Sequence, residues 1–291
     1  MKLKKLVKWV AIMVGGMFAL LTCYFYFHLD FTAATMLPPY CVVPRQDDTL
    51  RVVMIGDSWA MFHESLHADS VLEAMLRERL NVPVKVRSRG KGGANSKEIY
   101  YYMFASKTVE SEQEPDKCTQ PLLEEHPDYC LISAGINDAA QGKGASFLCQ
   151  NYENILSLLL FNHIRPVVLE LPTVLMGRNT HIPFEDFFNA NRSYAMRKLR
   201  ERIDFRVMAF VKGATLDDVT EYREEMKQML LRTGLTDSVL YISTADWNPD
   251  GYEDSRNIYI EDGTHLNLRG YHVLDSCYAE TIARDYKNKH Q

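Results

Sequence analysis

No Cys-x-x-Cys pair occurs in this chain of 291 residues, which removes the zinc-ribbon and thioredoxin-like readings that six cysteines would otherwise invite. A basic stripe is missing as well. The formal net charge is −5, and Lys2, Lys4, Lys5 and Lys8 face only Asp30 in the N-terminal segment, so the body is more acidic than the chain as a whole. A body of that sign excludes nucleic acid as a partner. Internal repeats and low-complexity tracts are also absent. The 46% hydrophobic and 24% charged residues are those of an ordinary globular chain and not a disordered one.

Charge vanishes altogether from Trp9 to Phe27, WVAIMVGGMFALLTCYFYF. A helix of that length, rising ~1.5 Å per residue, spans close to the ~30 Å hydrocarbon core of a bilayer. A cleaved signal peptide has a shorter apolar region, ~7–15 residues, ahead of a small-residue site. Here the run ends in Tyr24 to Phe27 without an Ala-x-Ala pattern, and Thr22 before Cys23 makes a poor lipoprotein site. The expectation is an uncleaved anchor: residues 1–30 form a cytoplasmic stub and one transmembrane helix. Lysines precede the span, so the positive-inside bias keeps the N-terminus cytoplasmic. The body is then expected in a periplasmic, extracellular or luminal space. Cys23 lies in the apolar run, and Cys130 lies in an apolar strand pattern that predicts a buried thiol. Cys41, Cys118, Cys149 and Cys277 are left as disulfide candidates in an oxidising compartment, with no pairing assignable.

Residues 31–49 hold three prolines and no periodicity, so they read as a linker to a domain over 50–291. That domain alternates short apolar runs with longer helical ones. Arg51–Ile55, Val84–Arg87, Tyr129–Ser133, Val167–Leu171 and Val239–Ile242 are the predicted strands. Leu72, Met75, Leu76 and Leu80 recur at helical spacing, as do Ile155, Leu158, Leu159 and Asn162. A further helix is predicted from Thr215, with Asp218 three residues on, to Arg232 before Gly234. Strand–helix alternation predicts an α/β fold with a parallel sheet covered on both faces. The aromatic- and arginine-rich stretch over 176–212 reads as an insertion.

Chemistry-bearing residues collect after the strands. The first strand ends in Gly56-Asp57-Ser58-Trp59, where a serine can expose its hydroxyl at the C-terminal edge of the sheet. The second is followed by Gly90-Lys91-Gly92-Gly93-Ala94-Asn95-Ser96, whose glycines let backbone approach a ligand and aim an N–H at it. The third is followed by Gly135-Ile136-Asn137-Asp138, and the last loop carries Asp262-Gly263-Thr264-His265. An Asp three residues before a His can bond Nδ1 and set the tautomer. Each of these alone is ordinary turn chemistry; their order along one chain is what raises them.

Taken together, these blocks resemble the SGNH, or GDSL, hydrolase family, over roughly residues 51 to 286. The resemblance implies a three-layer α/β/α sandwich with a mostly parallel five-stranded, flavodoxin-like sheet. It implies Ser58 as nucleophile, Asp262 and His265 completing a triad, and Ser58, Gly93 and Asn137 as oxyanion-hole donors, with Asp57 and Asp138 in support. Neutral His265 would accept the Ser58 proton during attack on an ester carbonyl. Trp59 departs from the leucine of the family name at a position on which the mechanism is not expected to depend. No metal, nucleotide or organic cofactor is implied.

His63-Glu64-Ser65-Leu66-His67 matches His-Glu-x-x-His, a zinc-protease signature, but it falls within the helix that the serine mechanism requires and reads as an exposed helix face. Tyr100, Tyr101 and Tyr102 fit helix packing better than a cleft, and Arg256 and Tyr259 are ambiguous. Asn191-Arg192-Ser193 is a glycosylation sequon of use only in a eukaryotic source. The expected function is an ester hydrolase, and specifically a carbohydrate O-acyl esterase working on acylated glycans outside the cytoplasm. The competing expectations are a lipase, lysophospholipase or thioesterase, an O-acetyltransferase using the same serine, and a glycan-binding protein that keeps only the fold.

Overall fold

The computed structural model describes residues 2–28, 32–45, 47–105, 107–174, 219–251, 254–260 and 262–290. The insertion expected over 176–212, its sequon and the Thr215 cap lie outside the described residues.

The chain divides into two compact units, Met1–Thr32 with Pro183–Ala214, and Ala33–Ile182 with Thr215–Gln291. In the first, the described element is helix α1 (Lys2–His28). Trp9, Ile12, Met13, Phe18 and Leu20 on it are exposed. No helix among the described residues is long and apolar enough to cross a membrane, so the expected transmembrane helix is not found.

The second unit is built on five parallel strands: β1 (Leu50–Gly56), β2 (Val84–Gly90), β3 (Tyr129–Ser133), β4 (Arg165–Leu169) and β5 (Leu240–Ile242). They lie in the order β2-β1-β3-β4-β5. Central β1 and β3 are near-continuous apolar runs because both of their faces are covered. Edge strand β2 alternates buried and more exposed positions. It runs on past the predicted Arg87 because Ser88, Arg89 and Gly90 continue the register opposite Met54, Ile55 and Gly56. Strand β4 begins two residues earlier than predicted, with Arg165 and Pro166 paired to Tyr129 and Cys130.

Helices α2 (Ser58–Ser65) and α3 (Ala68–Leu80) connect β1 to β2. On the way to β3 come α4 (Ser96–Tyr102) and the short α5 (Val109–Gln113) and α6 (Gln120–Leu123). Helices α7 (Ile136–Ala140) and α8 (Ala145–Phe161) lead to β4, α9 (Thr220–Arg232) precedes β5, and α10 (Thr244–Trp247) and α11 (Leu268–His290) follow it. The chain leaves β1 toward β2 in one direction and β3 toward β4 in the other. Right-handed crossovers therefore put their helices on opposite faces. Helix α3 packs with α11, and α8 packs with α4 and α9, completing the α/β/α layering expected. The winding reverses between β1 and β3, which places the crevice of such a sheet beyond their C-terminal ends.

The segment read as a linker is laid along the domain. Ala34 N–H donates to Asn151 Oδ1 at 2.8 Å, Asn154 Nδ2 donates to Ala34 O at 3.0 Å, and Val42 N–H donates to Asn162 Oδ1 at 2.7 Å. These buried asparagines, two on α8 and Asn162 capping its C-terminus, give an extended, proline-rich strip the hydrogen bonds that it cannot make by itself.

Candidate active site

Strand β1 stops at Gly56, and its successor Asp57 caps α2: Oδ1 accepts from Trp59 N–H at 2.9 Å and from Ser133 Oγ at 3.0 Å. The cap turns the chain sharply, so Ser58 opens the helix at the sheet's C-terminal edge. The turn leaves no room beside it. A Cβ on Gly90 would lie 2.2 Å from Asp57 O, so β2 can pass here only as glycine.

The partner of Ser58 comes from far along the chain. His265 Nε2 lies 2.8 Å from Ser58 Oγ, and its Nδ1 lies 2.5 Å from Asp262 Oδ2. The other oxygen of Asp262 accepts the backbone N–H of Thr264 at 2.8 Å and of His265 at 2.9 Å. Gly263, at φ +63°, makes this tight return possible. Burial works against charge on Asp262, yet the bonds from the His265 ring and these two N–H groups outweigh it and hold the carboxyl below its ordinary pKa. An ionised Asp262 on Nδ1–H leaves Nε2 as the acceptor facing the serine hydroxyl.

The expected donors Gly93 and Asn137 belong to a network that reaches Asp57, next to Ser58 in the chain. Gly93 sits at φ +81° in the loop after β2, a conformation that favours glycine. Its N–H and that of Ser58 have no hydrogen-bond partner among the described residues. Asn137 Nδ2 donates to Ala94 O at 3.0 Å and reaches Asp57 Oδ2 at 3.4 Å, tying α7 to both the glycine loop and the serine turn. Gln141 Nε2 donates to Gly93 O at 3.2 Å and closes the loop from the other side. Asp138 lies beneath, its carboxylate accepting Ser96 N–H at 2.9 Å and the Ser96 hydroxyl. It braces the start of α4 and does not face the serine. Burial pushes the Asp57 carboxyl up to about 6 and that of Asp138 up to about 7, against the bonds each accepts.

A model of the GDSL-like lipase/acylhydrolase family matches residues 54–273. The chain belongs to that family. It is thereby an ester-bond hydrolase. Solved structures with a similar fold include an acylhydrolase from Bacteroides fragilis, 16% identical over 81% of this chain and 87% of that one, at a TM-score of 0.49. A GDSL-like lipase from Parabacteroides merdae is 14% identical over 81% and 97%, with a TM-score of 0.49. The lipase/acylhydrolase from Enterococcus faecalis is 16% identical over 81% and 96%, with a TM-score of 0.46. No curated protein matches the chain.

Around this GDSL-family site, other residues singled out by sequence turn to structural work. His63 is buried rather than on an exposed face, with Nδ1 2.7 Å from Asp69 Oδ1 and Nε2 2.9 Å from Asp275 Oδ1. His67 is exposed beyond the end of α2, at φ 58°, so the two histidines do not share a helix face. Among the described residues no group of three or more His, Cys, Asp or Glu is placed to hold a metal ion. Tyr100 is buried and its hydroxyl accepts Leu37 N–H at 2.8 Å, while Tyr102 donates to Glu114 at 2.6 Å. Arg256 pairs with Asp254, and Tyr259 accepts from Asn248. Cys41, Cys118, Cys130, Cys149 and Cys277 are free thiols, with Cys130 buried as predicted.

Two features of the site had no usable sequence signal. The indole of Trp59 donates from Nε1 to Thr264 O at 3.1 Å. Glu170, buried past β4, accepts Thr244 N–H at 2.9 Å and the Ser243 hydroxyl at 3.0 Å and pairs with Lys227. Burial opposes its charge, but these partners bring its pKa down to about 2.

Proposed function

We propose that this GDSL-family hydrolase works through a Ser58–His265–Asp262 triad as a carbohydrate O-acyl esterase. The observation that carries the triad is the continuous relay from Asp262 through both ring nitrogens of His265 to Ser58 Oγ, at 2.5 and 2.8 Å. His265 Nε2 takes the proton as Ser58 Oγ bonds to the acyl carbon. Collapse of the tetrahedral adduct expels the alcohol, which leaves with that proton, and water then releases the acyl group by the same steps. The N–H groups of Ser58 and Gly93 are the proposed oxyanion donors, joined by the amide of Asn137 once it exchanges its long 3.4 Å contact with Asp57 for the oxyanion. Each such donor is worth about 3–4 kcal/mol in the transition state.

The alcohol part is proposed to be a glycan outside the cytoplasm. Support comes from the uncharged run after the N-terminal lysines and from the exposure of its apolar side chains on α1, which suits a helix seated in lipid. The test is acetate release by the full-length protein in detergent from acetylated glycans, beside p-nitrophenyl esters of two to twelve carbons. Loss of turnover in Ser58→Ala with strongest activity on acetyl groups is the expected result. A preference for long acyl chains would mean a lipase or thioesterase, and turnover that requires an added sugar acceptor would mean an acetyltransferase. Full activity in Ser58→Ala would remove the triad.

A further inference from the structure

The residue after the nucleophile closes a circuit through the site. Ser58 Oγ meets His265 Nε2 at 2.8 Å; His265 follows Thr264 in the chain; Thr264 O accepts the Trp59 indole N–H at 3.1 Å; and Trp59 follows Ser58. Two hydrogen bonds and two short covalent paths therefore form one ring holding the serine and the histidine. The peptide joining Thr264 to His265 is gripped on both sides, its carbonyl by Trp59 and its N–H by Asp262 Oδ1 at 2.9 Å.

Trp59 itself cannot shift. It is 1% exposed, its ring stands edge-on to Trp247 at 6.0 Å, and its own carbonyl accepts the Tyr271 hydroxyl at 2.8 Å. A donor held this rigidly sets the height of the histidine loop over α2. On that side Phe62 of α2 also meets the His265 ring, edge-on at 4.9 Å, but an aromatic contact is less directional than the indole hydrogen bond. The loop's turn is internal, built from Asp262 oxygens and Gly263, and fixes its own shape without fixing its distance from the serine.

We propose that Trp59 is a positioning residue that sets the Ser58–His265 distance through its indole N–H. The proposal rests on the reading of Ser58 and His265 as nucleophile and base. A leucine, as in the family name, fills space here but donates nothing, so this chain has a brace at a position where the side chain's hydrogen bonding was not expected to matter.

The test is Trp59→Phe in the full-length protein in detergent, beside Ser58→Ala and Trp247→Phe. Phenylalanine keeps an aromatic ring and loses the N–H, and misplacing reacting atoms by about 1 Å costs on the order of 100-fold. We expect kcat on p-nitrophenyl acetate to fall about 10- to 100-fold with KM within about twofold. Acylation of Ser58 by a fluorophosphonate should slow by the same factor. Trp247→Phe makes the same change of ring size next to it but leaves an aromatic ring against Trp59 and the indole N–H of Trp59 in place, so it should keep kcat. Unchanged kcat in Trp59→Phe would overturn the proposal, as would an equal loss in Trp247→Phe, since packing alone would then explain both. Should Trp59→Phe fail to fold, β-(3-benzothienyl)alanine at position 59 keeps the ring shape and replaces N–H by sulfur; wild-type kcat there would again overturn it. Activity surviving in Ser58→Ala is a separate outcome that sinks the nucleophile reading itself.

Discussion

Asp262 and Asp57 lie on either side of the same Ser58–His265 pair, yet their surroundings drive them apart. Asp262 collects two backbone N–H groups and an imidazole, so it stays ionised despite partial burial. Asp57 collects one backbone N–H, one hydroxyl and a long contact from the Asn137 amide in a fully enclosed position, and burial lifts its carboxyl to about 6. The difference suits Asp262, and not Asp57, to the proposed role of the charge that orients His265. Asp262→Asn keeps the backbone turn but offers Nδ1 an amide in place of a carboxylate, which favours the wrong tautomer. It should lower kcat about 10⁴-fold with little change in melting temperature, the scale seen when such a carboxylate is neutralised. Steady-state kinetics with a thermal melt of the same sample checks both halves. Loss of folding instead would make Asp262 a structural residue.

Helix α2 opens with the proposed nucleophile, and its attachment rests on a group with no part in the proposed chemistry. His63 lies in the second turn of α2, between Asp69 of α3 and Asp275 of α11, with the Ser88 hydroxyl of β2 2.9 Å from Nδ1 and the Tyr271 ring edge-on at 5.3 Å. Burial alone would keep the ring neutral, but the bonds to the two carboxylates outweigh it and lift the pKa to about 9. The imidazolium is therefore the folded form near neutrality, joining two flanking helices to α2. Since this folded-state pKa lies above the unfolded value of 6.5, its stabilisation is complete below about pH 6.5 and is lost as pH rises through about 9. The wild-type protein should lose melting temperature between pH 7 and 10, and His63→Gln, less stable at pH 6, should show a much shallower decline. Parallel declines in melts across that range would show that the His63 proton is not involved.

At the scale of the molecule, the docked segment enlarges the domain past its sheet. Asn151 is fully buried on α8 and bonds in three directions, to Ala34 N–H, Ser96 Oγ and Phe147 O. Ser96 in turn donates to Asp138, so the strip, α8, the start of α4 and the turn after β3 share one polar network. Asn151→Ala strands the Ala34 N–H and should cost about 1–3 kcal/mol. Urea denaturation of the variant measures it, and a loss below about 0.5 kcal/mol would mean that water replaces the asparagine without penalty.

Periodicity and punctuation were enough to read the five strands to within two or three residues and the α/β alternation, while the resemblance to a family singled out Ser58, Asp262 and His265, which the structure brings within hydrogen-bond reach of one another. These depend on local patterns: an apolar run of strand length, a glycine where backbone must turn, and an aspartate three residues before a histidine. Other features could not be read that way, because each is a meeting of distant residues. Nothing near Trp59 in the chain announces Thr264, and nothing near His63 announces Asp275; the pairs are 205 and 212 positions apart. Prolines without periodicity describe equally a free linker and an extended strip, and only the asparagines of α8 decide between them. The amino-acid sequence by itself determined the layering and the reactive residue types, because backbone propensity and side-chain chemistry are local. Tertiary structure alone decided which polar groups are buried together, because that depends on what the sheet's winding brings face to face.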